Sequence, residues 1–143
     1  MKPRGHFFFI DDDEAEHVMF KKALRTLCDN EVISAYDGAE GYAALKRHKL
    51  DIFMIICDIN MPKVNGLELK RMIETTPELK LRAIPFIFHT SQHNPIVVKE
   101  AFALGIQGFV KKSADVTQSL RQLELLVNFW STSVHPNMLE PLK

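Results

Sequence analysis

Phe7-Phe8-Phe9-Ile10 runs straight into Asp11-Asp12-Asp13, an apolar stretch that ends abruptly in acids. The same design recurs along the chain. Ile52-Phe53-Met54-Ile55-Ile56-Cys57 ends at Asp58, Phe86-Ile87-Phe88-His89 at Thr90-Ser91, and Phe109-Val110 at Lys111-Lys112. Continuous apolar runs of this length suit strands covered on both faces, as in a parallel sheet. In open parallel sheets ligands bind just beyond the carboxyl ends of the strands. Several carboxylates, a hydroxyl and an ammonium, far apart in sequence, are therefore expected at one edge.

Helical patterns alternate with these runs. Strands are expected at His6–Ile10, Glu31–Ala35 and Leu50–Cys57, in a segment opened by Pro85, and at Gly108–Lys111. Glu14–Leu27 reads as a helix with Phe20, Ala23, Leu24 and Leu27 on one face. Asp37–His48 reads as a second, with Asp37 as N-cap and Ala39, Tyr42 and Ala43 on its inner side. Leu67–Thr75 is a third, ended by Pro77. A fourth has Pro95 in its first turn and Gly105 at its end. The fifth, Asp115–Ser131, carries the stripe Val116, Leu120, Leu123, Val127 and Trp130.

Such alternation with right-handed crossovers predicts an α/β fold. The expected form is a flavodoxin-like (βα)5 doubly wound parallel five-stranded sheet, order 2-1-3-4-5. Residues 5–131 are expected to form one domain, and 132–143, with two prolines and little periodicity, a C-terminal tail. The 143 residues leave no room for a second domain, so output is expected through binding.

Lys+Arg and Asp+Glu balance at 18 each, which argues against direct DNA binding. No run approaches a membrane-spanning length, and the one after Lys2 and Arg4 is too short for a signal peptide. Cys28 and Cys57 are too few for a disulfide framework, so a cytoplasmic setting is expected. Cys57 reads as a small buried residue. His89 and His93 read as surface or loop residues rather than a metal pair.

In a 2-1-3-4-5 sheet the topological switch point lies between strands 1 and 3. Asp11, Asp12 and Asp58 would share that cleft. Like charges about 4 Å apart repel by roughly 4 kcal/mol at an effective dielectric of about 20. The cluster therefore calls for a cation or raised pKa values. Mg2+ (or Mn2+) suits an all-oxygen site and keeps open positions for phosphate oxygens. A carboxylate beside such an ion is a competent nucleophile toward phosphorus. Lys112 can neutralise part of the phosphoryl charge and the Thr90 hydroxyl can donate to a further oxygen. No obvious general base for a fast hydrolase is present.

Phe9-Ile10-Asp11-Asp12-Asp13 resembles the acidic pair of response-regulator receiver domains. Asp58-Ile59-Asn60-Met61-Pro62-Lys63-Val64-Asn65-Gly66 is similar to that family's D-x-x-M-P-x-x-x-G segment. His89-Thr90-Ser91 and Gly105 to Lys112 resemble its switch Thr/Ser and lysine segments. Four motifs in order, over about residues 5–130, make the resemblance specific.

The resemblance implies that Asp58 accepts the phosphoryl group. Asp12 would ligate the metal directly, Asp11 through water, and Asn60 through its backbone carbonyl. Thr90 would move toward the phosphate, Phe109 would turn inward with it, and Lys112 would contact it. A histidine kinase or histidine phosphotransfer protein would be the donor. The face of the fourth helix, fifth strand and fifth helix would meet a downstream protein. Asn60 and Gln92 occupy positions that tune phosphoryl lifetime in this family. Self-phosphorylation from small donors and self-dephosphorylation would be slow at most. A homodimer through the Phe129–Trp130 end is also expected. The family usually follows its lysine with proline; here Ser113 stands there.

Plainer readings stand beside these. Asp13 suits a helix N-terminus, Thr90 a strand and Phe109 the core. Alternation turns one of Lys111 and Lys112 toward the site, and the family spacing selects Lys112. Asp11-x-Asp13 superficially fits a haloacid-dehalogenase phosphatase, but Ala15 and the lack of room for a cap oppose it. A flavodoxin would need a Ser/Thr/Gly-rich loop where the aspartates stand.

Overall fold

The apolar runs become the strands their burial requires. In the computed structural model, which describes residues 4–49 and 51–137, the strands are β1 (His6–Ile10), β2 (Val32–Ala35), β3 (Ile52–Cys57), β4 (Phe86–Thr90) and β5 (Gly108–Lys111). They form one sheet of order β2-β1-β3-β4-β5, and every pairing is parallel. Central β3 is buried at every residue, while the edge strands β2 and β5 are mostly half-buried. That difference explains why β3 reads as an unbroken apolar run and β2 does not. Leu50, where the third strand was expected to begin, lies outside the described residues.

The helices are α1 (Glu14–Arg25), α2 (Gly38–Arg47), α3 (Gly66–Glu74), a single turn α4 (Pro77–Lys80), α5 (Pro95–Ala103) and α6 (Val116–Thr132). Their starts are set by short polar side chains that accept otherwise orphaned N–H groups. Asp13 accepts from Ala15, Asp37 from Glu40, Asn94 from Val97 and Asp115 from Thr117. Asn65 and Glu68 form a reciprocal capping box at α3. Phe7, Phe9, Met54 and Ile56 meet α1 and α6 through Phe20, Leu24, Leu123 and Val127. Phe8, Ile10, Ile55 and Phe88 face the other helices.

Several expectations need correction. Ala39 and Ala43 of α2 are exposed, and the buried face is Gly38, Gly41, Ala44 and Leu45. Close approach decides this face: a Cβ on Gly38 would stand 2.3 Å from the Val64 carbonyl oxygen. Pro77 does not merely end the third helix. It occupies the first turn of α4, where a missing N–H is harmless. The expected fourth and fifth helices are thus α5 and α6. In α6, Leu123 and Val127 are buried but Val116, at the helix start, is exposed.

The expected tail is not free at its start. Register along β1 passes from His6↔Ile52 to Phe7↔Met54, leaving Phe53 as an extra residue off the ladder. The Phe53 carbonyl accepts from His135 Nε2 at 2.6 Å. The buried His135 ring stacks on Phe53 at 4.9 Å, and its Nδ1 accepts the Asn137 N–H at 3.1 Å. Residues 138–143 of the expected tail lie outside the described residues.

Gly66 has a steric duty beneath Asp58. Its N–H donates to the Ile59 carbonyl at 2.9 Å, and a Cβ there would stand 2.3 Å from the Asp58 carbonyl oxygen. Backbone cannot yield as a flexible side chain can. Gly66→Ala is expected to lower stability by about 2 kcal/mol in urea unfolding; a wild-type midpoint would contradict this packing.

Candidate functional site

Parallel strands deliver their last residues to one edge, so the fold itself assembles the site. Asp11 and Asp12 follow β1, Asp58 follows β3, Thr90 ends β4 and Lys112 follows β5. One carboxylate oxygen from each of Asp11, Asp12 and Asp58 lies within 4.8 Å of the others. Asp11 and Asp58 are buried, whereas Asp12 is exposed. Lys112 Nζ sits 3.0 Å from Asp11 Oδ2 and 3.0 Å from Asp58 Oδ2. Lys112 is thus the site-facing member of its pair, and Lys111 is exposed.

The backbone holds these groups at short range. Asp58 N–H donates to the Ile10 carbonyl at 2.9 Å, tying the end of β3 to β1. Asp58 Oδ1 accepts the Ile59 N–H at 2.7 Å, and Asp11 Oδ1 accepts the Asp13 N–H at 2.9 Å. Lys112 N–H donates to the Thr90 carbonyl at 2.9 Å, which sets the lysine's register on β4. Ser113 opens the loop that follows. The Lys112–Ser113 peptide is trans, and Ser113 Oγ accepts the Asp115 N–H at 3.1 Å.

Thr90 is fully buried, and its Oγ1 accepts the Gln92 N–H at 3.2 Å. Phe109 is half-buried, its ring 6.0 Å from Phe88, on the same side of the sheet as α5. Asn60 is exposed beside Asp58. Cys57 is buried, as expected. Burial, with the charges of Asp58 and Asp11, pushes its thiol well above the ordinary range, so it is no nucleophile.

The electrostatics follow from two buried carboxylates sharing one lysine, with a third carboxylate close by. Burial raises the Asp11 pKa, against the Asp13 N–H and the Lys112 ammonium, which lower it. Burial opposes the Lys112 charge, but its close contacts with the Asp11 and Asp58 carboxylates outweigh it and raise the lysine's pKa. Asp11 Oδ2, although buried, has the Lys112 contact and no directed hydrogen bond. An excess of hard oxygen donors beside an under-satisfied carboxylate oxygen fits a divalent cation.

Two groups near the site escaped the sequence reading, and a third, His89, was misplaced by it. Glu16 is half-buried on α1, and burial raises its pKa. His17 is buried, with Nε2 2.8 Å from the Asp11 carbonyl oxygen. His89 is not a surface residue: it lies in β4 and lines an apolar cavity of ≈ 720 Å3 between α1 and α6. Its inward position is what strand alternation allows, but a lone histidine in an apolar run gives no sign of its environment.

Burial, aided by the Lys112 charge and opposed by Asp58, lowers the His89 pKa from 6.5 to about 4. Between those values the unfolded chain binds a proton that the folded chain excludes. Stability from this residue is therefore present above the upper value and lost as pH falls through the window. His89→Phe should remove about 1–3 kcal/mol of the stability lost between neutral and acid pH, measured by urea unfolding. An unchanged pH slope would place a charged His89 in the native protein.

The family model for the response regulator receiver domain matches residues 7–124. Response regulator Rcp1 of Synechocystis sp. is 26% identical over 138 residues, covering 92% of each chain. A chemotaxis protein CheY homolog of Campylobacter jejuni is 29% identical over 103 residues, covering 72% of this chain and 77% of that one. Among solved structures, the phosphorylated cyanobacterial phytochrome response regulator RcpA superposes with a TM-score of 0.84 at 26% identity, covering 93% of this chain and 99% of that one. The Mn2+-bound form of Rcp1 superposes with a TM-score of 0.82 at 25% identity, with the same coverage.

Proposed function

Because the chain belongs to the response-regulator receiver domain family and is the receiver of a two-component response regulator, we propose that Asp58 is its phosphoacceptor. The observation that carries this reading is the Lys112 ammonium, 3.0 Å from both Asp11 Oδ2 and Asp58 Oδ2. It leaves Asp58 a nucleophile already beside the cation that will meet the transferred charge.

An Asp58 carboxylate oxygen attacks phosphorus of a phosphohistidine donor. The new O–P bond forms as the P–N bond breaks, and the donor's imidazole leaves. Catalysis rests mainly on positioning and charge neutralisation. Lys112 contacts the incoming phosphoryl oxygens from its present place. Thr90 Oγ1 accepts from Gln92, so its own hydrogen stays available to a phosphoryl oxygen. Phe109, half-buried on the neighbouring strand, follows Thr90 inward.

Asp11, Asp12, Asp58 and the Asn60 backbone carbonyl would hold Mg2+ or Mn2+, which supplies positive charge for the phosphoryl oxygens when bound. The acidic cluster and the Mn2+-bound Rcp1 neighbour support a divalent site. The donor is a histidine kinase or phosphotransfer protein, and the α5-β5-α6 face meets a downstream protein. Exposed Phe129 beside Trp130 supports pairing of two copies at that end of α6. Residues 5–131 act as the folded receiver. Among the described residues no helix is long and apolar enough to cross a membrane, which accords with a cytoplasmic site of action. The chain is a phosphoacceptor with slow self-chemistry rather than a turnover enzyme.

Acetyl phosphate or phosphoramidate should add one phosphoryl group to the wild type, read by intact mass, with Mg2+ present and not without it. Asp58→Asn should abolish the addition; labelling that persists in Asp58→Asn overturns the assignment. Asn60 and Gln92 are neutral amides that cannot deprotonate a water, so the phosphoryl group should be lost at a modest rate. Replacing both should change the phosphorylated half-life severalfold, and an unchanged half-life would sink that role.

A further inference from the structure

His17 is 1% exposed, on α1, where its ring is clamped between aromatic neighbours. It stacks on Tyr36 at 4.1 Å and meets the edge of Phe9 at 4.9 Å. Its Nε2 lies 2.8 Å from the Asp11 backbone oxygen. A carbonyl only accepts, so Nε2 carries the hydrogen, and in the neutral ring Nδ1 keeps a lone pair. That Nδ1 is buried with no hydrogen-bond partner.

For packing alone, imidazole is a poor occupant of this position. A buried acceptor without a donor is a destabilising feature that an aliphatic side chain of similar size would not bring. The compensating contact is the one to Asp11. The Asp11 carbonyl and the Asp12 nitrogen belong to one planar peptide unit. Fixing that carbonyl fixes the direction in which the chain enters Asp12. The other side of the turn is anchored by the Asp11 N–H to the Ala35 carbonyl at 3.1 Å. The Asp13 N–H to Asp11 Oδ1, at 2.9 Å, anchors the side chain. The His17 bond holds the plane between the two acids.

We propose that His17 is a positioning residue for the divalent ion: its Nε2–H clamps the Asp11–Asp12 peptide so that exposed Asp12 presents its carboxylate to the same point as buried Asp11 and Asp58. This rests on reading the acidic cluster as the metal site. It assigns to a histidine outside the acidic cluster a share of the metal affinity. Partners that orient ligands in this way typically change metal affinity by about 10–100-fold when removed.

The test is a Mn2+ titration followed by the electron paramagnetic resonance of the free ion, with thermal unfolding of the same metal-free samples. His17→Leu should bind Mn2+ about tenfold more weakly, while its metal-free unfolding temperature stays level or rises. His17→Gln, whose amide nitrogen can donate from a similar place, should recover most of the affinity. A purely structural histidine predicts the reverse: lower stability in His17→Leu with Mn2+ affinity intact, and that result overturns the proposal. Absence of Mn2+ binding in the wild type overturns the metal site itself, and this role with it. If His17→Leu does not fold, long-range 1H–15N correlations of the wild type decide. Hydrogen on Nε2 supports the clamp, and hydrogen on Nδ1 alone refutes it.

Discussion

The Lys112 ammonium lies between the Asp11 and Asp58 carboxylates, and the arrangement of the chain around it depends on that placement. Two buried acids without a cation would repel each other and resist burial. Lys112 relieves that repulsion from across the sheet, arriving after β5 while the acids leave β1 and β3. The order β2-β1-β3-β4-β5 puts β4 between the acids' strands and the lysine's strand. The bond from the Lys112 N–H to the Thr90 carbonyl therefore sets the reach of the side chain. Gly66 lies beneath the same point, packed where no Cβ fits. Sheet order, strand register and one steric constraint thus converge on one charge contact.

A centre of this kind is poised rather than satisfied. Three carboxylates cluster where one ammonium contacts two of them, and Asp11 Oδ2 lacks a directed hydrogen bond. On the proposed reading, divalent cation and phosphoryl group arrive at a place where the charges are already arranged and little reorganisation is needed. The phosphoryl group then redistributes what Lys112 contacts, and Thr90 and Phe109, on adjacent hydrogen-bonded strands, lie in the path of that change. A receiver needs such proximity, because new charge can bias a two-state face only if it alters contacts that differ between the states.

Much of this was legible in the residues. β1 and β3 announce themselves because strands buried on both faces must be apolar throughout, and their terminal acids follow directly. Lys112 was separable from Lys111 only through alternation together with family spacing. What stayed hidden has physical reasons. The buried face of α2 opens with Gly38 and Gly41, residues with no bulk to register as hydrophobic, ahead of Ala44 and Leu45. The turn at Pro77 was masked because one proline both stops α3 and starts α4. His135 sits in a segment without periodicity, and its partner carbonyl is freed by a bulge at Phe53 that no composition reveals. His17 and His89 read as ordinary polar residues because only three-dimensional packing decides whether an imidazole is buried.

The most direct test of the account is chemical mapping of the phosphorylated residue after transfer from a phosphohistidine donor. Borohydride reduces an aspartyl phosphate to homoserine, which peptide mass mapping can place. The account predicts homoserine at position 58 and at no other acid of the cluster. Homoserine at Asp11 or Asp12, or a label that resists borohydride, would contradict it.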